Sequence, residues 1–259
     1  MPDQNTPKIA IVTGGSRGLG RNTVLNLAKR GIDSIFTYHS NRAEADQVVA
    51  AVREAGRNAG RNAIAIQLDT ANTASFDTFT QNVRDALSKL GAERFDFLVN
   101  NAGTSLHKAF HETTEAELDA VYAVHFKGVF FLTQKLLPLI NDGGRIVNIS
   151  SGLARFSFPG SSAYACMKGA VEVLTRYLAK ELGERRITVN TVAPGAIATD
   201  FSGGMVRDNP DLNKLIAGMT SLGRVGHPDD IGPMIAALLS DDNRWVNAQR
   251  IEVSGGMII

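Results

Sequence analysis

The sequence predicts an α/β fold: a single domain spanning residues 1–259, built on a doubly wound parallel sheet of about seven strands with helices on both faces. Three observations predict it. Short β-branched runs alternate along the chain with longer segments of helical period. The first of those runs opens into a glycine-rich turn that leads straight into a helix. No linker or shift in composition divides the chain, and 259 residues, 44% of them hydrophobic, suffice for a substantial core.

The strand candidates are KIAIVT, DSIFTY, AIAIQL, FDFLVN, RIVNIS, ITVNTV and QRIEV. Between them lie amphipathic stretches such as RNTVLNLAKR, AEADQVVAAVREA and FDTFTQNVRDALSKL, and helical crossovers between parallel strands produce the doubly wound arrangement. A tandem GRNAGRNA, Gly56 to Ala63, falls where a helix returns to a strand. That edge lies opposite the carboxyl ends of the strands, where ligands bind in such sheets, so the repeat is taken as a small duplication in a solvated turn.

Composition excludes several functions. The 27 basic and 26 acidic side chains nearly cancel, so no broad field favours nucleic acid or an anionic membrane surface. The longest apolar segment, GVFFLTQKLLPLI, is interrupted by Gln134, Lys135 and Pro138 and is too short to span a bilayer. The start, MPDQNTPKIAIVT, lacks the pattern of a secretory signal, and the single Cys166 excludes an internal disulfide framework; a cytoplasmic location is expected.

The glycine turn is the first functional signal. In TGGSRGLGRNTVLNLAKRG, Gly14, Gly18 and Gly20, with Ser16, Arg17 and Leu19 between them, occupy the strand-to-helix turn of the first βα unit. There the backbone must turn tightly, admit a pyrophosphate and expose unpaired N–H groups at a helix start, which points to a dinucleotide coenzyme. The adenosine ribose of such a coenzyme is met at the end of the second strand, by an acidic side chain for NAD or by basic and hydroxyl groups for the extra phosphate of NADP. About twenty residues on from Gly14 comes Asp33, but it opens DSIFTY and stands at the wrong end of that strand. The correct end carries Tyr38, His39, Ser40, Asn41 and Arg42, none of them acidic, and Arg17 can point toward the same ribose. A guanidinium suits a phosphate through its planar fork of donors, so NADP (NADPH) is the expected cofactor.

The second signal is SSAYACMKGAV, Ser161 to Val171. On a helix Tyr164 and Lys168 share a face. A free tyrosine has a pKa of about 10, and a cation within roughly 4–6 Å lowers it by about 1–3 units, making the phenol a usable acid and base near neutrality. Cys166 faces roughly away from both. His107 and His111 have helical spacing, but no carboxylate completes a metal set and no metal is expected.

At these residues the chain resembles the short-chain dehydrogenases/reductases, in particular members like the beta-ketoacyl-acyl carrier protein reductases. TGGSRGLG, LDT, LVNNAG, GRIVNISS, YACMK, VNTVAPGAIATDF and the ending IEVSGG occur in family order over essentially the entire chain. The pair Tyr164 and Lys168 alone is common by chance; the ordered set is highly specific. The resemblance implies a Rossmann fold and hydride transfer between a nicotinamide coenzyme and a ketone or secondary alcohol. Tyr164 is then the proton donor in reduction and the acceptor in oxidation, Lys168 lowers its pKa and holds the nicotinamide ribose, and Ser151 orients the substrate oxygen. The resemblance further implies that Asp69 and Thr70 lie beside the adenine. It sets Asn101, Ala102 and Gly103 along the coenzyme, and Pro194, Gly195, Ile197 and Thr199 around the nicotinamide.

One position departs from the family. Where AVHFKGVFFLT has His125, relatives usually carry an asparagine that helps hold a water linking the lysine to solvent. Histidine also donates and accepts hydrogen bonds and titrates near neutrality. It either keeps the relay with a different pH profile or is a packed helix residue with the relay altered.

The expected partner is a small-molecule carbonyl or alcohol substrate. Leu106, Leu153, Phe156, Phe158, Phe201, Met205, Leu215 and Met219 are candidates for an apolar pocket, with His107 and Arg155 as polar contacts. Gly203 and Gly204 suggest a lid. The resemblance also implies a homotetramer, and the ending GGMII suits either a subunit contact or burial on its own chain. The alternative function is a catalytically silent coenzyme-sensing protein of the same fold.

Overall fold

A computed structural model describes residues 7–56 and 60–259. The strands are β1 (Ile9–Val12), β2 (Asp33–Tyr38), β3 (Ala63–Gln67), β4 (Phe95–Asn100), β5 (Ile140–Ile149), β6 (Thr188–Pro194) and β7 (Arg250–Val253). The helices are α1 (Gly18–Lys29), α2 (Arg42–Ala55), α3 (Phe76–Lys89), α4 (Glu115–Tyr122), α5 (Gly128–Leu136), α6 (Ser162–Glu181), α7 (Met205–Asp208), α8 (Pro210–Gly218) and α9 (Pro228–Leu238). All seven strands form one parallel sheet in the order β3-β2-β1-β4-β5-β6-β7. The chain builds outward from β1 in one direction, then restarts at β4 and builds in the other. The crevice beyond the carboxyl ends of β1 and β4 is therefore the topological switch point where ligands bind.

The strand period divides the core. In β1, Ala10 and Val12 point to a layer formed by α1, α2 and α9, where they meet Val24, Leu27, Val48, Ile231 and Ile235. Ile9 and Ile11 point to the opposite layer, against Phe79 and Val83 of α3 and Leu132 and Leu136 of α5. Both layers are needed because a parallel sheet has apolar side chains on both faces. Helices α1 and α9 pack closely: a Cβ on Gly232 would lie 2.0 Å from Asn22 Oδ1. A larger residue at 232 would force the two helices apart.

The helix start signals are local. Thr114 and Glu117 cap α4 reciprocally, and Asn41 caps α2 by accepting from the Glu44 amide. Between α4 and α5 the helix widens into a π turn, Ala123–Lys127, that carries His125. Such single-turn widenings are frequent at functional sites. Of the GRNAGRNA repeat, residues 57–59 lie outside the described residues. Within its second copy, Asn62 donates its amide to Asp33 at the amino end of β2, away from the switch point.

Candidate active site

The cleft at the switch point encloses about 520 Å³ and runs from the glycine turn to an apolar end beyond Tyr164. Gly14 and Gly18 have φ of 65° and 55°, the left-handed region that favours glycine. The Gly14 amide donates to Thr37 Oγ1 at 2.9 Å. Asn101 Nδ2 donates to the carbonyls of Thr13 and Gly14, and the amides of Asn101 and Ala102 donate to Thr13 Oγ1. This cross-bracing holds the turns after β1 and β4 together. Gly20 is placed for packing: a Cβ there would stand 2.1 Å from the Gly14 carbonyl oxygen. No side chain caps the start of α1 and no acid occupies its first turn, so its amides and positive dipole end are open to an anion.

Of the turn residues, Gly14, Ser16, Arg17, Gly18 and Leu19 line the cleft, joined by Thr37 and His39 from the end of β2. The rest of that strand end departs from the sequence expectation. Tyr38 is buried in the core, because the strand alternation that turns Thr37 toward the glycine turn turns its neighbour into the opposite layer. Asn41 spends its side chain as the α2 cap, and Arg42 pairs with Asp46. Ser40, Asn41 and Arg42 are exposed and do not line the cleft. Asp69 and Thr70 do line it, with Asp69 also closing its own turn by accepting from the Ala71 amide. Ala102, Gly103, Pro194, Gly195, Ile197 and Thr199 complete the wall.

Tyr164 and Lys168 share the inward face of α6, with the Lys168 ammonium 5.5 Å from the phenol ring centroid. Ser151, just past β5, lies beside Tyr164, and its Oγ accepts from the Leu153 amide. Lys168 is buried and donates to the Ile149 carbonyl at 2.7 Å. Burial pushes the lysine down to about 7. Burial also pushes the Tyr164 phenol above its ordinary range, the Ser151 hydroxyl acting the other way. The two effects oppose each other, and desolvation is the larger.

His125 adjoins this pair. Its ring is buried, edge-on to Tyr164 with centroids 5.0 Å apart. Burial, then the Lys168 charge, push the imidazole down to about 3, against the opposing Thr104 carbonyl. It is neutral across the physiological range and does not titrate near neutrality. Nε2 lies 2.7 Å from that carbonyl and 3.2 Å from the Thr104 amide nitrogen; the shorter carbonyl contact favours the proton on Nε2, and Nδ1 has no hydrogen-bond partner among the described residues.

The apolar end is lined by Leu153, Phe156, Phe158, Phe201 and Met205, with His107. The segment that follows Gly203 and Gly204 folds as α7 and α8, and Val206, Leu212 and Ile216 from it also face the cleft. So does Met257 of the C-terminal tail, which folds back on its own chain while Ile259 remains exposed. Leu106, Leu215 and Met219 do not line the cleft, and Arg155 is bound to Glu252 and the tail. Sequence reasoning missed Thr13, Thr37, Val206, Leu212, Ile216 and Met257. A hydroxyl at the end of each of the first two strands was the available signal for the threonines; the others have no local one. Among the described residues no three His, Cys, Asp or Glu side chains gather as a metal set.

The family profile described as Enoyl-(Acyl carrier protein) reductase matches residues 14–258. The hydroxynaphthalene reductase-like protein Arp2 of Metarhizium brunneum is 36% identical, over 97% of this chain and 95% of its own. The promiscuous reductase LugOII, which catalyzes keto-reduction at C1 during lugdunomycin biosynthesis, superposes with a TM-score of 0.91 at 36% identity, covering 99% and 100% of the two chains. The angucycline C-6 ketoreductase LanV with bound NADP gives 0.90 at 33%, covering 98% and 97%. Each relative is similar over nearly its whole length. On that evidence this chain belongs to the short-chain dehydrogenase/reductase family of oxidoreductases.

Proposed function

We propose that this chain is an NADPH-dependent ketoreductase in which Tyr164 is the proton donor. The observation that carries the proposal is the meeting of Ser151, Tyr164 and Lys168 in one cleft, between a glycine turn open to phosphate and an apolar pocket. The left-handed glycines, the open amides of α1 and Arg17 fit a dinucleotide, and the absence of a carboxylate at the end of β2 favours NADPH. Bound NADP in LanV supports the same coenzyme. Gly14, Ser16, Arg17, His39, Asn101, Lys168 and Thr199 would hold it, and it would supply the hydride.

The protein's own part is proton delivery and orientation. Ser151 positions the substrate oxygen against Tyr164. The raised phenol keeps its proton at neutral pH, which suits an acid in the reductive direction. A charged Lys168 stabilises the phenolate left behind. Phe156, Phe158 and Phe201, the last 6.2 Å from the Tyr164 ring, offer flat apolar surfaces to an apolar, ring-bearing ketone. The hydroxynaphthalene reductase-like and angucycline ketoreductase relatives support that class.

We propose further that the protein is cytoplasmic and a homotetramer. Tyr122, Phe130 and Phe131 of α4 and α5, with Val173 and Tyr177 of α6, leave an exposed apolar surface suited to a second copy. Sedimentation would show a tetramer, and Tyr177→Glu would reduce it.

The deciding experiment is titration with NADPH and NADH, followed by Tyr164→Phe assayed on 1-tetralone. NADPH should bind more tightly. The variant should lose roughly 10²–10⁴ in turnover with its NADPH affinity kept within about twofold. Retained turnover would remove the phenol from the chemistry.

A further inference from the structure

We propose that Arg155 is a latch that holds the C-terminal tail against the substrate end of the cleft and so sets how bulky a ketone the site accepts. The proposal rests on the ketoreductase assignment above. Arg155 follows the short turn Gly152–Ala154, directly after Ser151. Its guanidinium makes a two-pronged contact with Glu252 of β7, Nε to Oε2 at 2.7 Å and Nη2 to Oε1 at 2.9 Å. The same group donates to the Met257 carbonyl at 2.7 Å and the Ile258 carbonyl at 2.8 Å. One side chain thus ties three segments together. An exposed ion pair alone would contribute little, but a planar fork meeting a carboxylate and two carbonyls fixes geometry.

What is tied is a wall of the pocket. Met257 is buried and lines the cleft, packing in a cluster with Phe156, Ile216 and Val225. Ile258 has φ of 49°, a conformation that a β-branched residue adopts only when held there. On its other side the tail pairs with the segment after α8: Ser221 and Leu222 donate to the Gly256 and Gly255 carbonyls, and the Ile258 amide to that of Met219. The tail therefore spans the distance between the Arg155 loop and the helix carrying Leu212 and Ile216. Releasing Arg155 frees one anchor of that span.

The latch is continuous with the catalytic turn. Glu252 also accepts from Arg250, whose Nη2 donates to the Ser151 carbonyl and whose Nε donates to Glu172. Glu172 in turn accepts from Ser150 Oγ at 2.6 Å. Arg155 touches neither coenzyme site nor Tyr164; it is a positioning residue.

The test compares kcat and KM for cyclohexanone and 1-tetralone in Arg155→Gln and Arg155→Lys, with NADPH affinity and amide hydrogen exchange measured on the same proteins. Arg155→Gln should raise KM for 1-tetralone about tenfold, change the ratio of kcat/KM between the two ketones, and leave NADPH affinity within about twofold. Exchange should accelerate in residues 255–259 and 219–222. Arg155→Lys, which keeps the charge but loses the fork, should recover only part. Deleting residues 257–259 should mimic Arg155→Gln, and the two changes combined should add nothing. An unchanged ketone ratio with unchanged exchange, or full additivity of the two changes, overturns the latch. If the wild-type protein reduces neither ketone, exchange decides alone: faster exchange in Arg155→Gln upholds the latch while the ketoreductase assignment falls, and unchanged exchange ends both.

Discussion

His125→Asn separates a buried neutral histidine from a titrating one. In the folded chain the imidazole is held down to about 3, whereas in the unfolded chain it returns to about 6.5. Below 6.5 the unfolded state binds a proton that the folded state refuses, so stability is complete above 6.5 and is lost as pH falls toward 3. At up to about 1.4 kcal/mol per pH unit, with the unfolded imidazole already half protonated at about 6.5, this one group costs about 2 kcal/mol between pH 6.5 and 4.5. Asparagine has no such proton. Its packing loss is the same at every pH and cancels when each protein is compared with itself. Urea unfolding of both proteins at pH 6.5 and 4.5 measures the difference: the variant should lose about 2 kcal/mol less than wild type over that interval. Equal losses would mean that His125 is protonated in the fold and that its burial does not govern it. Because the ring is already neutral at working pH, the shape of the activity profile between pH 6 and 9 should be the same in both proteins.

Two further substitutions address the cleft. Lys168, held near 7, is charged below that value, so reductive kcat/KM should fall as pH rises through it. Lys168→Arg, which stays charged, should abolish that limb, and an unchanged limb would assign it elsewhere. Gly20→Ala would place a methyl 2.1 Å from the Gly14 carbonyl oxygen, where only backbone movement can relieve it. Its cost should be about 1–3 kcal/mol in chemical unfolding, with NADPH affinity down at least tenfold because the moved turn is the phosphate cradle; tight NADPH binding would show the turn to be compliant.

The seven strands and their parallel winding were legible because each strand is a short β-branched run and each crossover a helix with one apolar face. The glycine turn and the tyrosine and lysine of α6 were legible because their spacing is set locally, within one turn or one helical period; the serine after β5 was legible only through the family resemblance. Tyr38 shows the limit of that logic. It stands at the right end of the right strand, yet strand alternation sends it into the core and presents Thr37 instead. The long-range contacts had no such signature: Arg155 meets Glu252 and the tail, and Asn148 bonds Asn100 and Thr175 beneath the site, through pairings between segments distant in the chain.

The amino-acid sequence by itself determined the winding of the sheet, the phosphate turn and the acid–base pair, since each depends on neighbours within a few residues. Only the tertiary structure decided the protonation of that pair and the shape of the substrate end. Desolvation depends on what the rest of the chain packs over Tyr164, Lys168 and His125, and the pocket wall closes only when residues from the Ser151 turn, α8 and the C-terminal tail arrive at one place.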